Sequence, residues 1–332
     1  MRPLIPLLCP QDRSRLSLTG AEDRYECEKG CSYPLIGGVP RFVPESSYSS
    51  AFGWQWNAFP DVQLDSCTGL SISRDRLTRL FRGSLDTLRG KLVLEAGCGA
   101  GRFTELMLAA GAAVFACDLS EAVEANYQNC GGYRDYFVCQ ADLLRLPLAP
   151  AQFDVVVCIG VVQHTPDPEA TMMVLCSNVK PGGILVMDHY THGYPSTLSR
   201  RVLRSVLLHT SPRFSLRACR LLVALLWPAH RLLWRCRGVR GLTRLRRLFL
   251  KLSPLVDYHE PYPQLGQKLL RTWALLDTHD TVTDVYKHLR SAEEIGGCLR
   301  ACGMVDIEVA YAGNGVEARA RKPQSPRPGS SL

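Results

Sequence analysis

The chain has 332 residues, 46% hydrophobic and 21% charged, enough to bury one full α/β domain with about a hundred residues of additions. Fourteen cysteines, no secretory signal at the start and no apolar run near the roughly 18 residues of a membrane span point to a reducing, cytoplasmic setting. The net charge of +8 is unevenly held: no Asp or Glu lies between His189 and Val256, while thirteen Arg and one Lys fall from Arg200 to Lys251, so the rest of the chain is net −6.

Residues 1–45 read as a first small unit. Cys9-Pro10, then Cys27 and Cys31, then Tyr33-Pro34-Leu35-Ile36-Gly37-Gly38-Val39-Pro40 predict short strands and tight turns. Three residues after Cys9 stands Asp12. Three thiolates and a carboxylate can hold zinc, although structural sites are nearly all cysteine and histidine. A hairpin that keeps its shape without metal is the other reading. Residues 46–90 form a helical arm, with Trp54 and Trp56 followed by an amphipathic pattern through Leu77, Leu80, Phe81, Leu85 and Leu88. The two tryptophans either roof a cofactor cleft or pack the arm on the core.

Residues 91–195 alternate strand and helix. Strands are expected at Lys91–Glu95, Ala113–Asp118, Tyr136–Gln140, Phe153–Ile159 and Gly183–His189, the last preceded by a tight turn at Pro181-Gly182-Gly183. A helix from about Arg102 to Ala110 stops at Gly111. The alternation predicts an α/β fold with a doubly wound, mostly parallel sheet. Residues 196–260 are an insertion rich in Arg, Leu and Trp and helical by composition. Residues 261–321 complete the core through a helix opened by Ser291-Ala292-Glu293-Glu294, a capping box, and the strand Val305–Tyr311. The tail 322–332, rich in Pro, Ser and Gly, is expected to be disordered.

The most informative stretch is Val93-Leu94-Glu95-Ala96-Gly97-Cys98-Gly99-Ala100-Gly101, a buried strand entering a glycine turn, with Asp118 ending the next strand. This is the opening of a nucleotide-binding sheet. A dinucleotide fingerprint places its last glycine where this chain has Arg102, and a carboxyl at Glu95 is out of place in such a strand. An acid there suits an amino-acid ammonium group. At these residues the chain resembles the class I S-adenosylmethionine-dependent methyltransferases, whose first motif is an acid followed by x-Gly-x-Gly-x-Gly; most members carry Asp where Glu95 stands. Cys158-Ile159-Gly160-Val161-Val162-Gln163-His164-Thr165-Pro166-Asp167 is similar to a Gly-Val-x-x-His-x-Pro-Asp stretch of the small-molecule and quinone branch. Residues 1–45 resemble a zinc-ribbon-like segment that precedes some of these enzymes, which makes Cys9, Cys27 and Cys31 the candidate zinc ligands, although Asp12 stands where that segment carries a cysteine.

The resemblance implies S-adenosylmethionine as cofactor. Glu95 and the backbone of Gly97, Gly99 and Gly101 would face its amino-acid portion. Asp118 would take the ribose hydroxyls, Leu119 and Leu143 would border the adenine, and Asp142 would meet the adenine amino group. Gly160 and Val161 would line the methionine end. His164 and His189 are the candidate general bases. The implied reaction is methyl transfer to oxygen or nitrogen of a small, hydrophobic or lipid-linked acceptor. The alternatives are an RNA methyltransferase, since a zinc-ribbon start also precedes some ribosomal RNA enzymes, and a non-catalytic donor-binding subunit. No Asn-Pro-Pro or Asp-Pro-Pro signature follows the fourth strand, and no Pro-Cys pair lies there, which argues against a nucleic-acid base. The basic insertion has three readings: a helical lid over the acceptor, a surface that docks peripherally on anionic membrane, or a nucleic-acid contact.

Overall fold

The structure is a computed structural model, and it describes residues 2–43 and 47–324. It divides into two compact units. One comprises the described residues of 1–47, 63–194 and 286–332; the other comprises 48–62 and 195–285. Of the tail 322–332 expected to be disordered, Lys322 is instead tied to the backbone of Gly182 and Gly183 by two hydrogen bonds of 2.9 Å, and 325–332 lie outside the described residues.

The first unit begins with a four-stranded antiparallel meander, β1 (Leu16–Leu18), β2 (Arg24–Cys27), β3 (Ser32–Ile36) and β4 (Val39–Pro40). Its apolar side, with Leu7, Tyr25, Tyr33 and Phe42, joins one of two large hydrophobic clusters. Seven strands then build the main sheet: β5 (Leu92–Ala96), β6 (Ala113–Asp118), β7 (Tyr136–Gln140), β8 (Phe153–Cys158), β9 (Val179–Tyr190), β10 (Val305–Ala312) and β11 (Gly315–Arg321). The order is β10-β11-β9-β8-β5-β6-β7; β5 to β9 pair in parallel, and β10 and β11 are antiparallel. This is the doubly wound α/β fold, with helices on both faces.

Alternation along the strands decides what each face buries. Leu94, Phe115, Phe137 and Met187 point into the cluster shared with the helices Pro168–Asn178 and Ala292–Ala301. Val93, Val114, Val138 and Val186 point into the second cluster, under the helices Ile72–Phe81, Thr104–Ala109 and Val123–Cys130. Ser291 and Glu294 form the capping box expected from the sequence.

Two local expectations needed adjustment. The helix after the glycine turn begins at Thr104, because Gly99 and Gly101 hold positive φ angles and keep the turn open to that point. The turn expected at Pro181-Gly182-Gly183 lies inside β9, which starts at Val179 and crosses a register irregularity opposite Phe153 and Val155.

The second unit is all helix: Ser50–Ala58, Leu198–Leu207, Pro212–Arg235, Arg240–Leu252 and Gln267–Thr283. Trp54 belongs to this unit, where the Arg213 guanidinium sits 4.6 Å from its ring centre. His279 Nδ1–H donates to Oε1 of buried Gln55 across 2.7 Å, and His279 Nε2 lies 3.0 Å from Ser215 Oγ. A second buried network centres on Asp257, whose carboxylate meets His230 Nδ1 at 2.7 Å, His259 Nδ1 at 3.1 Å and Arg246 at 3.3 Å. Burial alone pushes the Asp257 carboxyl up, but hydrogen bonds from His230 and His259 hold it far below its ordinary value. Among the described residues no helix is long and apolar enough to cross a membrane.

Candidate active site

The chain leaves β5 towards β6 and β7 on one side and returns to β8 on the other, so a crevice opens beyond the ends of β5 and β8. The two loops at that point pack tightly. Gly97 has φ +79°, and a Cβ built there would lie 2.2 Å from Val161 Cγ2. Only glycine fits, for both space and backbone. Gly160, at φ +75°, has nothing within 4 Å of the corresponding position, leaving room beside it.

Three carboxylates reach this edge from one face of the sheet. Glu95 follows Val93 and is 3% exposed; its side chain accepts a hydrogen bond from Thr104 Oγ1 at 2.5 Å. Burial raises its pKa to about 8, with a smaller push from Asp118 and an opposing pull from Thr104. Asp118 accepts from Gly99 N at 2.9 Å through one oxygen and from Ser120 N at 2.8 Å and Ser120 Oγ at 2.7 Å through the other. Burial pushes this carboxyl up as well, against those hydrogen bonds. The third is Asp188, which accepts from Gly160 N at 2.6 Å and pairs with Arg76 from the helix Ile72–Phe81. This pair was missed from sequence: its members are 112 residues apart, and an Asp before two histidines carries no signal of its own.

The other sequence candidates divide. Asp142 caps the short turn Leu143–Arg145 by accepting from Leu144 N at 2.9 Å; Leu143 is buried behind it and Leu119 is half-buried. His164 is buried to 9% exposure, with Nδ1 3.1 Å from the Tyr286 carbonyl and its ring edge-on to Tyr190 at 5.3 Å. Tyr190 in turn stacks on Tyr194 at 3.9 Å. His189 is separated from this group by strand alternation. It points to the face opposite Asp188, is 1% exposed, and its Nδ1 donates to the Tyr190 carbonyl at 2.8 Å. Burial lowers its pKa, and its Nε2 has no protein partner.

A strand, a glycine turn that only glycine can form, and three same-face carboxylates at the switch point are thus assembled within residues 92–188. Residues 94–187 match a family model described as a methyltransferase domain. By that match this stretch is a methyltransferase domain. The cofactor to test against its site is the S-adenosylmethionine that the resemblance of its motifs implies.

The methyltransferase domain is similar to two curated relatives. The ubiquinone biosynthesis O-methyltransferase of Azoarcus sp. (strain BH72) is 35% identical over 130 residues, which cover 38% of this chain and 55% of that protein. Its namesake from Idiomarina loihiensis is 36% identical over 121 residues, 35% of this chain and 46% of that protein. The chain therefore spans about half the length of the relatives it matches. Among solved structures, magnesium protoporphyrin IX methyltransferase from Synechocystis PCC 6803 superposes with a TM-score of 0.42 at 16% identity, covering 84% of this chain and 97% of that one.

The residues present fit this cofactor. Glu95 offers a buried carboxyl to an ammonium group, and Gly160 leaves backbone bare where a ligand can approach, while Gly97 lets Val161 close over the turn. Asp118 ends β6 at the crevice edge, where a carboxylate can accept more than one hydrogen bond per oxygen.

Proposed function

We propose that the chain methylates a hydroxyl oxygen on a small, hydrophobic, aromatic acceptor. The convergence of Glu95, the glycine turn and Asp118 at the switch point carries this reading, and the match to O-methyltransferases supports oxygen as the target. When bound, S-adenosylmethionine supplies a methyl group already activated by its sulfonium charge. The protein has then to position and desolvate, which is where its own residues act. Glu95 holds the ammonium end, Asp118 the ribose hydroxyls, and Asp142 with Leu143 the adenine side. Arg76 pairs with Asp188, whose other oxygen accepts from Gly160 N, and so ties down the loop bordering the reacting end.

For the acceptor, His164, Tyr190 and Tyr194 make an aromatic wall suited to a planar ring. The His164 Nδ1–H donates to the Tyr286 carbonyl at 3.1 Å, which fixes the orientation of the imidazole. We assign it the hydroxyl proton, and assign His189 a positioning role on the opposite face. With radiolabelled donor and catechol-type substrates, His164→Gln is expected to lower kcat about 10²- to 10⁴-fold with little change in KM. Equal loss in His189→Gln and none in His164→Gln would reverse the assignment, and no transfer to any hydroxylated ring by the wild type would reject oxygen as the target.

We also propose peripheral contact with anionic membrane. In the helical unit Leu198, Val202 and Val206 are exposed four residues apart, as are Leu221 and Leu225, and Leu248 and Leu252. Between them a groove of about 530 Å³ is lined by Leu198, Val202, Val206, Leu222 and Leu252. Exposed Arg201, Arg217, Arg231, Arg244 and Arg247 supply charge along the same helices. Such faces bury aliphatic surface while arginines meet lipid phosphates. Changing those five arginines to glutamine is expected to weaken binding to phosphatidylglycerol-rich vesicles at least about tenfold, at roughly 1 kcal/mol per charge. A wild-type protein that does not sediment with such vesicles at low salt would end this reading.

A further inference from the structure

We infer that Cys9, Asp12, Cys27 and Cys31 bind one zinc ion, with Asp12 as a true fourth ligand. Their ligand atoms all lie within 4.8 Å of one another. Asp12 Oδ2 is 3.4 Å from Cys27 Sγ and 3.8 Å from Cys31 Sγ. Zinc bonds of about 2.3 Å to sulfur and 2.1 Å to oxygen place tetrahedral ligands about 3.8 Å apart for two sulfurs and about 3.6 Å for sulfur and oxygen. The two carboxylate–sulfur separations bracket the tetrahedral value, and no two of the four ligand atoms are more than 4.8 Å apart.

Two tight turns deliver the four groups in pairs. In the first, Arg13 N donates to Cys9 O at 2.9 Å and Cys9 N to Ser14 O at 2.8 Å, with Arg13 in the left-handed region at φ 64°. In the second, Gly30 N donates to Cys27 O and Cys27 N to Cys31 O, both at 3.0 Å, with Gly30 at φ 88°. The carboxylate is also aimed. Ser14 N, at 2.8 Å, and the Ser14 hydroxyl both donate to Oδ1, so Oδ2 is the oxygen turned to the thiols. The Tyr33 hydroxyl lies 3.2 Å from Cys9 Sγ. Outer contacts of this kind orient ligands in metal sites. The three cysteines enter as thiolates and Asp12 as a carboxylate, so binding releases the thiol protons to solvent.

The site has a consequence for the donor. Arg13, within the first turn, donates to the carbonyls of Leu146, at 2.8 Å, and Leu148, and Leu8 N donates to Pro147 O at 2.9 Å. These carbonyls belong to the loop that follows Asp142 and Leu143. The metal thus clamps the loop we assign to the adenine, a consequence that rests on the proposed function; the metal content does not.

The test uses full-length protein purified under reducing conditions without chelator. Elemental analysis is expected to give one zinc per chain, and Asp12→Ala to weaken zinc at least about tenfold against a chromophoric chelator. Asp12→Cys should hold zinc at least as tightly as the wild type, and cobalt(II) should give the absorption of a tetrahedral thiolate-rich site. Zinc-loaded protein should bind donor more tightly than protein stripped by chelator. Protein that carries no zinc and takes up none when Zn²⁺ is added under reduction would overturn the site. Unchanged zinc affinity in Asp12→Ala would overturn Asp12 as ligand. Full zinc with identical donor affinity before and after stripping would overturn only the clamp.

Discussion

Asp118→Ala is expected to weaken S-adenosylmethionine binding by about 10²- to 10⁴-fold. Two hydrogen bonds from ribose hydroxyls to a carboxylate are worth about 1.5–3 kcal/mol each in a buried setting, and alanine removes both. The same change strips Gly99 N of its acceptor, so the glycine turn loses its tie to β6. Asp118→Asn keeps one carbonyl oxygen and the side-chain shape, and should lie between wild type and alanine. Calorimetric titration measures all three. Unchanged affinity in the alanine variant would show that the donor is not held at this strand tip.

Glu95 gives the second large effect, with opposite signs for stability and binding. Its pKa is raised to about 8 in the fold, against an ordinary value of 4.5. Below about pH 4.5 the folded and unfolded chains both hold the proton and no penalty exists. Between about 4.5 and 8 the unfolded chain has released it and the folded chain has not, so stability falls as pH rises; above about 8 the loss is complete. Glu95→Gln removes that loss while its amide keeps a carbonyl for Thr104. The variant should melt several degrees above wild type at pH 8, with the gap closing towards pH 5. Donor binding moves the other way. The ammonium group selects the carboxylate, so from pH 7.5 to 6 wild-type affinity should fall by up to about tenfold per unit, with proton release on binding. Glu95→Gln should bind roughly 10- to 150-fold more weakly and lose most of that pH dependence. A variant less stable than wild type at pH 8, or binding donor as well, would contradict this role.

The central fold was legible because its strands are buried on both faces and read as continuous apolar runs. Ala113–Asp118 and Tyr136–Gln140 match expectation to the residue. β11 was not read. Glu317, Arg319 and Arg321 alternate with Val316, Ala318 and Ala320, and three small inward residues give a weak strand signal although they pair along the whole of β9's second half. The donor acids Glu95 and Asp118 could be chosen from spacing alone, since each ends a recognisable strand. Asp188 with Arg76 could not, because the partnership exists only once helix and strand meet. Likewise His164 and His189 look equivalent in sequence, and only the counting of faces along β9 separates them. The place of Asp12 beside three thiols depends on the two turns, which composition does not specify.

The helical unit is discontinuous in the chain, and this sets a delay on its birth. Gln55 meets its buried partner His279 only after 224 more residues have been made. At ribosomal speeds of about 5–20 residues per second, the segment carrying Phe52, Trp54 and Trp56 waits roughly 11–45 seconds with its aromatic surface uncovered. During that interval it is a natural client for chaperones, and a nascent chain stalled before residue 279 would display it. A circular permutant that begins near residue 195 would cut the separation of Gln55 and His279 from 224 residues to about 108, roughly halve the wait and should raise the yield of folded protein.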